Sequence, residues 1–161
     1  MDIEKEVSIH EEIFFPIPIN IKELKNRFHE ATTSGIVPHS EIKNYCIPDT
    51  TGFLGLYNLS TIDTGFSLIG TLTVFVTGKP EEWHYDNNSE EFAGIMIWSN
   101  KIKIWNEITV GSTKNDILGF IGNTFHYTKG QTLFCELGDY HANFTIIEDT
   151  VARISINKNC K

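Results

Sequence analysis

Histidines are the residues of this chain best able to bind a metal ion or to act as a general base. The six are His10, His29, His39, His84, His126 and His141. No two of them have the spacing of a common zinc-ligand pair, so a metal site would need assembly from distant segments, for example His84 with Asp86. Ordinary surface or half-buried histidines are the favoured interpretation, and we predict no metal or cofactor site.

Three cysteines are the candidate nucleophiles. Cys46, Cys135 and Cys160 are odd in number, widely spaced and without a C-x-x-C pair, a pattern typical of reduced thiols. Cys135 lies in an apolar segment, which predicts a small core residue, whereas Cys160 is expected to be exposed. A cysteine nucleophile would need a histidine folded against it, and no sequence pattern indicates one.

Paired carboxylates do not suggest a general acid and base. The pairs at 11–12, 81–82 and 90–91 are adjacent glutamates, and adjacent residues of a strand point to opposite faces. Neither a phosphate-binding loop nor a nucleophile motif is present. We therefore predict no catalytic residues. The weakest alternative is a hydrolase whose site is assembled around His84, His126 or His141.

The segment from Glu81 to Glu91 combines aromatic and acidic residues in a predicted loop. Aromatic side chains provide contact area at low entropic cost and are enriched at interface hot spots. The residues expected to contact a partner are Trp83, Tyr85, Asp86, Glu90 and Glu91. The competing interpretation is that Trp83 and Tyr85 fix the loop onto the core.

A second candidate surface is the polar face of the predicted C-terminal strands. Its aromatic and histidine residues are Trp98, Trp105, His126, Tyr127, Tyr140 and His141. An exposed aromatic sheet face is typical of a binding surface. The competing interpretation is that most of these rings belong to the core.

A short helix with both ends marked precedes those strands. Ser112 or Thr113 can cap its first turn, Asp116 complements the helix dipole, and Gly122 can end it. Ile117 lies on its apolar face. Strands rich in β-branched and aromatic residues follow, at 132–137, 140–147 and 151–156, and predict an antiparallel meander.

The N-terminal half predicts a second helix and more strands. Asn20 caps an expected helix from Ile21 to about Ala31. Strands are expected at 53–57 and 66–76, the second near the middle of a sheet, with a hairpin of 92–98 and 101–106. The predicted fold class is α+β, a mainly antiparallel sheet with two short helices packed on one face. The chain is expected to form a single domain, 1–161, or two sub-units of about 1–106 and 107–161.

Residues 108–156 resemble the helix-plus-meander motif of the β-lactamase-inhibitor-protein-like and outer-membrane-assembly lipoprotein-like folds. The matching positions are Ile108, Gly111, Ser112, Thr113, Asp116, Ile117, Ile121 and Gly122. The resemblance covers about a third of the chain. It implies a protein-binding role, because members of those families mainly bind proteins.

The charge composition limits the classes of binding partner that are expected. The 161 residues carry 13 basic and 21 acidic side chains, a net charge of −8, which disfavours nucleic acid and favours a basic protein. The competing interpretation is that the acidic charge simply keeps a cytoplasmic protein soluble. No apolar run is long enough to span a membrane, and the acidic start of the chain is unlike a signal peptide. A cytoplasmic location is therefore expected, while the oligomeric state is left open.

These observations predict a small cytoplasmic protein-binding module, of the inhibitor or immunity type, that occludes a basic toxin or enzyme. The alternative function is a small-molecule-binding domain with a cavity between the helices and the sheet.

Overall fold

Eight antiparallel strands form the main sheet of this computed structural model. The structure describes residues 13–15, 21, 30–37, 39–47, 51–60, 68–84, 89–100, 102–104 and 108–160. Within these residues, the strands and the one α-helix whose bounds are described are β1 (Ile13–Phe15), β2 (Glu30–Ile36), β3 (Gly52–Ser60), β4 (Leu68–Thr77), β5 (Glu90–Ile97), β6 (Ile102–Ile104), α1 (Lys114–Ile121), β7 (His126–Lys129), β8 (Thr132–Leu137), β9 (Tyr140–Ile147) and β10 (Thr150–Lys158). Among the described residues, 3-10 helices lie at His39–Asn44 and Pro80–Glu82. The strands of the main sheet follow the order β2-β3-β4-β5-β10-β9-β8-β7.

The predicted α+β class with two helices packed on the sheet is wrong, because the fold is mainly β. Glu30 and Ala31, at the end of the expected first helix, instead begin β2 and pair with β3. Thr32 and Thr33 follow in the same strand, and β-branched residues favour strands over helices. Residues 22–29 of the expected helix lie outside the described part of the chain.

The helix α1 has the predicted ends. Thr113 is its N-cap, and the backbone N–H of Asp116 donates to the Thr113 hydroxyl oxygen at 3.1 Å. The Asp116 carboxylate accepts in return from the Thr113 backbone N–H at 2.9 Å, which completes a capping box. Gly122 ends the helix with a φ of 55°. Ile117 and Ile121 are the buried residues of α1.

One face of the sheet, the core face, carries the main hydrophobic core. Alternate residues of the central strands point into it, including Leu72 of β4, Ile95 of β5, Ile156 of β10 and Phe144 of β9. A bulge between Val151 and Arg153 of β10 turns Val151 into this core as well. The expectation that β4 lies near the middle of the sheet is confirmed, since most of its residues are buried.

The opposite face, which we call the open face, is covered at one end by residues 39–47. Ile42, Tyr45 and Ile47 of that segment pack on a small cluster that contains Leu54 and Phe75. Tyr45 also lies close to Gly94 of β5, where an added Cβ would be 3.1 Å from the tyrosine ring. A second, smaller core therefore forms on this face between β3 and β5.

The predicted hairpin of 92–98 with 101–106 is wrong. β5 pairs with β4 and β10, whereas β6 pairs in parallel with β1 in a separate two-stranded sheet. The alternation within each segment identifies strands, but it does not specify their partners. The predicted β8 and β9 agree with the observed bounds, and β10 extends to Thr150 and Lys158.

Cys46 and Cys160 form a disulfide, so the prediction of three reduced thiols is wrong for this pair. The bond joins the segment that covers the open face to the residues after β10 across a sequence separation of 114. Because the two residues meet only in the folded chain, their spacing did not reveal the pairing. Cys135 is free and buried, as predicted for a core residue.

Loss of this disulfide should destabilise the protein. Replacing both residues, Cys46→Ser with Cys160→Ser, is expected to lower the free energy of unfolding by about 2–5 kcal/mol, since the bond restricts the unfolded chain over a long loop. Urea unfolding followed by circular dichroism, with and without a reductant, measures the effect. The reductant should lower the wild-type midpoint and leave the variant unchanged. An unchanged wild-type midpoint would contradict this expectation.

Candidate protein-interaction surface

Three large aromatic side chains, Phe125, Tyr127 and Phe134, lie together on the open face at the β7 edge of the sheet; we call them the aromatic strip. Tyr127 stacks on Phe134 with ring centroids 4.9 Å apart, and Phe125 lies 6.0 Å from Tyr127. Phe125 is 67% exposed and Tyr127 is 50% exposed. An exposed cluster of rings is a mark of an interaction surface.

Sequence alternation and one turn position the strip. In β8, Leu133 and Cys135 face the core, so Phe134 between them faces the other way. Register places Tyr127 of β7 directly opposite Phe134. Gly130, with a φ of 60°, lies in the two-residue turn between the strands, a position that favours glycine. Tyr127 and Phe134 are thus presented by a β-hairpin, and Phe125 lies one residue before it, where its carbonyl accepts from the Glu136 N–H.

A row of uncharged side chains continues from the strip across the open face. Register aligns Phe134 with Asn143, Ser155, Met96, Thr71 and Asn58 on successive strands. Each of these side chains is half-buried. The Asn143 side-chain oxygen is buried and has no hydrogen-bond partner. The strip therefore borders a polar surface that can accept or donate hydrogen bonds.

The predicted contact residues that the structure describes in the 81–91 segment, Trp83, Glu90 and Glu91, do not share one exposed surface. Trp83 packs edge-on against Phe53 and Tyr57, with centroid distances of 5.6 and 5.2 Å. Its ring lies so close to β3 that a Cβ at Gly55 would be 2.5 Å away. Trp83 thus fixes the start of the loop on the core, as the competing interpretation expected.

Glu90 holds this packing together. One of its carboxylate oxygens accepts hydrogen bonds from the Tyr57 hydroxyl and from the Trp83 indole N–H, the latter at 2.9 Å. Glu91, the next residue of β5, is exposed. Tyr85 and Asp86 lie outside the described residues. Contact of this loop with a partner stays a prediction.

The histidines proposed for a hydrolase do not face a common site. His126 pairs with Cys135 across β7 and β8, and His141 pairs with Glu136 across β9 and β8, so the two rings belong to opposite faces of the sheet. His84 is exposed beyond the Pro80–Glu82 turn. The His141 Nδ1 donates to the Asn159 side-chain oxygen at 2.7 Å.

Asn159 connects this histidine to a carboxylate. Its side-chain N–H donates to Glu136 at 2.8 Å, and its backbone N–H donates to the Asp139 carbonyl at 2.8 Å. The chain after β10 is thereby fixed against the β8–β9 hairpin. This network stabilises the region beside the disulfide residue Cys160.

The remaining residues of the predicted polar face do not all lie at the surface. Tyr140 is buried in the core against Phe92, as the competing interpretation expected. Trp98 is 37% exposed and its indole N–H donates to the Leu68 carbonyl at 3.0 Å. Trp105 lies outside the described residues. Sequence reasoning missed Phe125 and Phe134, although the alternation in β8 marks Phe134 as outward-facing.

Within the described ranges, no group of three or more His, Cys, Asp and Glu side chains is placed to hold a metal ion. No helix among the described residues is long and apolar enough to cross a membrane. No family model, curated protein or solved structure matches the chain.

The Cys135 thiol should be unreactive in the folded protein. Burial raises its pKa to about 11, so at pH 8 only about one thiol in a thousand is ionised, and the side chain is also inaccessible. A thiol-specific chromogenic reagent should therefore modify no cysteine of the native protein at pH 8 and one cysteine in denaturant. Rapid modification of the native protein would contradict the buried placement.

Replacing Glu90 tests its structural role. Glu90→Leu removes the acceptor shared by Tyr57 and Trp83, so we expect a loss of about 1–3 kcal/mol in the free energy of unfolding. Glu90→Gln keeps one oxygen acceptor and should lose less. Urea unfolding measures both, and Glu91→Leu at the neighbouring exposed position is the matched control. Equal stability of the Glu90→Leu and Glu91→Leu variants would show that Glu90 has no structural role.

Proposed function

We propose that this chain is a small protein-binding module, of the inhibitor or immunity type, that contacts its partner through the aromatic strip. The observation that carries the proposal is the exposure of Phe125 and Tyr127 beside Phe134 on an ordered hairpin. Aromatic anchors on a rigid element lose little entropy on binding and supply much of the energy of an interface.

The net charge of −8 supports a basic partner, since opposite charges increase the rate of encounter and orient the complex. The resemblance of residues 108–156 to the β-lactamase-inhibitor-protein-like motif supports the same class of function. α1, with its capping box, and the strands that follow it form in this segment. An inhibitor of this type would act by covering the active site of its target.

The disulfide bears on where such a protein would work. Disulfides persist in oxidising compartments and are rare in the cytosol, so Cys46–Cys160 favours an oxidising compartment over the predicted cytoplasm. The proposed target is accordingly a basic protein met under oxidising conditions.

Comparative affinity capture tests the proposed surface. The wild-type chain, a Tyr127→Ser/Phe134→Ser variant and an Ile147→Ser control are used as baits in a lysate of the native organism, and retained proteins are quantified by mass spectrometry. Ile147 is 45% exposed and ends β9, four residues beyond the Asn143 that pairs with Phe134, so its replacement controls for loss of surface hydrophobicity. We expect one basic protein on the wild-type and control baits that is absent from the double variant.

Binding measurements with the purified partner then give the size of the loss in affinity. The double variant should bind it at least about 30-fold more weakly than the control does, which corresponds to hot-spot losses of about 2 kcal/mol or more. Raised salt should weaken the wild-type complex as well. Equal affinity of the double variant and the control would refute the strip as the contact surface, whichever partner is found.

A further inference from the structure

We infer that two copies of this chain associate edge to edge through β7, which extends the main sheet across a two-fold axis at Tyr127. β7 is the last strand of the sheet, and all four of its residues are exposed. The inference does not depend on the proposed function, because it is argued from the backbone register of β7, whose outer edge pairs with no described strand.

The hydrogen-bond register of β7 shows which backbone groups are available. The Glu136 N–H donates to the Phe125 carbonyl at 3.1 Å, and pairing across β7 and β8 places Tyr127 opposite Phe134. In an antiparallel ladder, alternate residues face the neighbouring strand. Phe125, Tyr127 and Lys129 thus direct their backbone groups to β8. His126 and Thr128 direct theirs outward, to the edge of β7 that pairs with no described strand.

A second copy of β7, placed antiparallel with Tyr127 on the two-fold axis, satisfies those groups. His126 of one copy then lies opposite Thr128 of the second copy, and each such pair exchanges two backbone hydrogen bonds. The two-fold axis produces this His126–Thr128 pair twice. The same short strand therefore supplies both partners of its own ladder, without any change in its conformation.

The side chains fit the same register. Neighbouring strands are about 4.8 Å apart, and the Tyr127 and Phe134 rings already stack at 4.9 Å. Tyr127 of the second copy would continue this stack on the exposed side of the ring. The dimer would then carry four stacked rings, two from each copy, across the joined open faces.

Charge does not oppose this contact, although each chain is acidic overall. β7 contains His126 and Lys129 and no acidic residue. In the proposed register Lys129 lies opposite Phe125 of the second copy, on the same face as the stacked rings. A lysine ammonium above an exposed ring is a favourable cation–π arrangement. The register thus gives a partner to Phe125, which is 67% exposed in the single chain.

Sedimentation of the purified protein tests the inference. We expect a dimer that dissociates on dilution. Thr128→Pro removes the outward N–H while leaving the β8 pairing intact, so it should weaken association by about tenfold or more. Thr128→Ala, which keeps the N–H, should dimerise as the wild type does. A monomeric wild type at its highest soluble concentration would overturn the inference, as would an undiminished dimer in a folded Thr128→Pro protein.

Photo-oxidative cross-linking provides a test that does not need the proline variant to fold. Oxidation of tyrosines in contact joins their rings through a carbon–carbon bond, so the wild-type dimer should be linked through the two Tyr127 rings. Tyr127→Phe keeps the stack and should sediment as a dimer that cannot be linked. Linking that persists in Tyr127→Phe, or a wild-type dimer that does not link, would place the interface elsewhere.

Discussion

The pairing of β5 with β10 is the constraint on which the rest of the structure depends. Four residue pairs, from Ile154 with Ile97 to Asn157 with Gly94, join four strands from the first part of the chain to four from the second. The core face is continuous across this junction, since Ile95, Ile97, Ile154 and Ile156 all belong to one cluster. Without that pairing, neither the core beneath α1 nor the row of side chains on the open face would be contiguous.

Local patterns in the sequence predicted the structural features that are set by residues close together along the chain. The ends of α1 follow from Thr113, Asp116 and Gly122, which act within a few residues of one another. The bounds of β8 and β9 follow from alternation and from turn residues. Long-range pairings were not predictable in this way. β6 pairs with β1 instead of β5, and Cys46 meets Cys160, because tertiary packing selects partners that have no local signature.

The candidate surface shows the same difference between local sequence patterns and long-range pairing. The sequence predicts Trp83 and Glu90 as contact residues, because an aromatic residue beside carboxylates is typical of contact sites. In the structure, both contribute to a cluster with the fully buried Tyr57. Phe125 and Phe134 carry no such signal. Only the register of β7 with β8 brings them to Tyr127 and leaves the group on the face that α1 does not cover.

The position of β10 in the sheet has a consequence for synthesis on the ribosome. β10 is translated after every other strand of the sheet, yet it lies between β5 and β9. Until it emerges, both neighbours present unpaired backbone and apolar side chains such as Ile95 and Phe144, the kind of edge that recruits other chains. Insertion of β10 therefore closes two edges at once, and it ends the interval in which the incomplete sheet could recruit other chains.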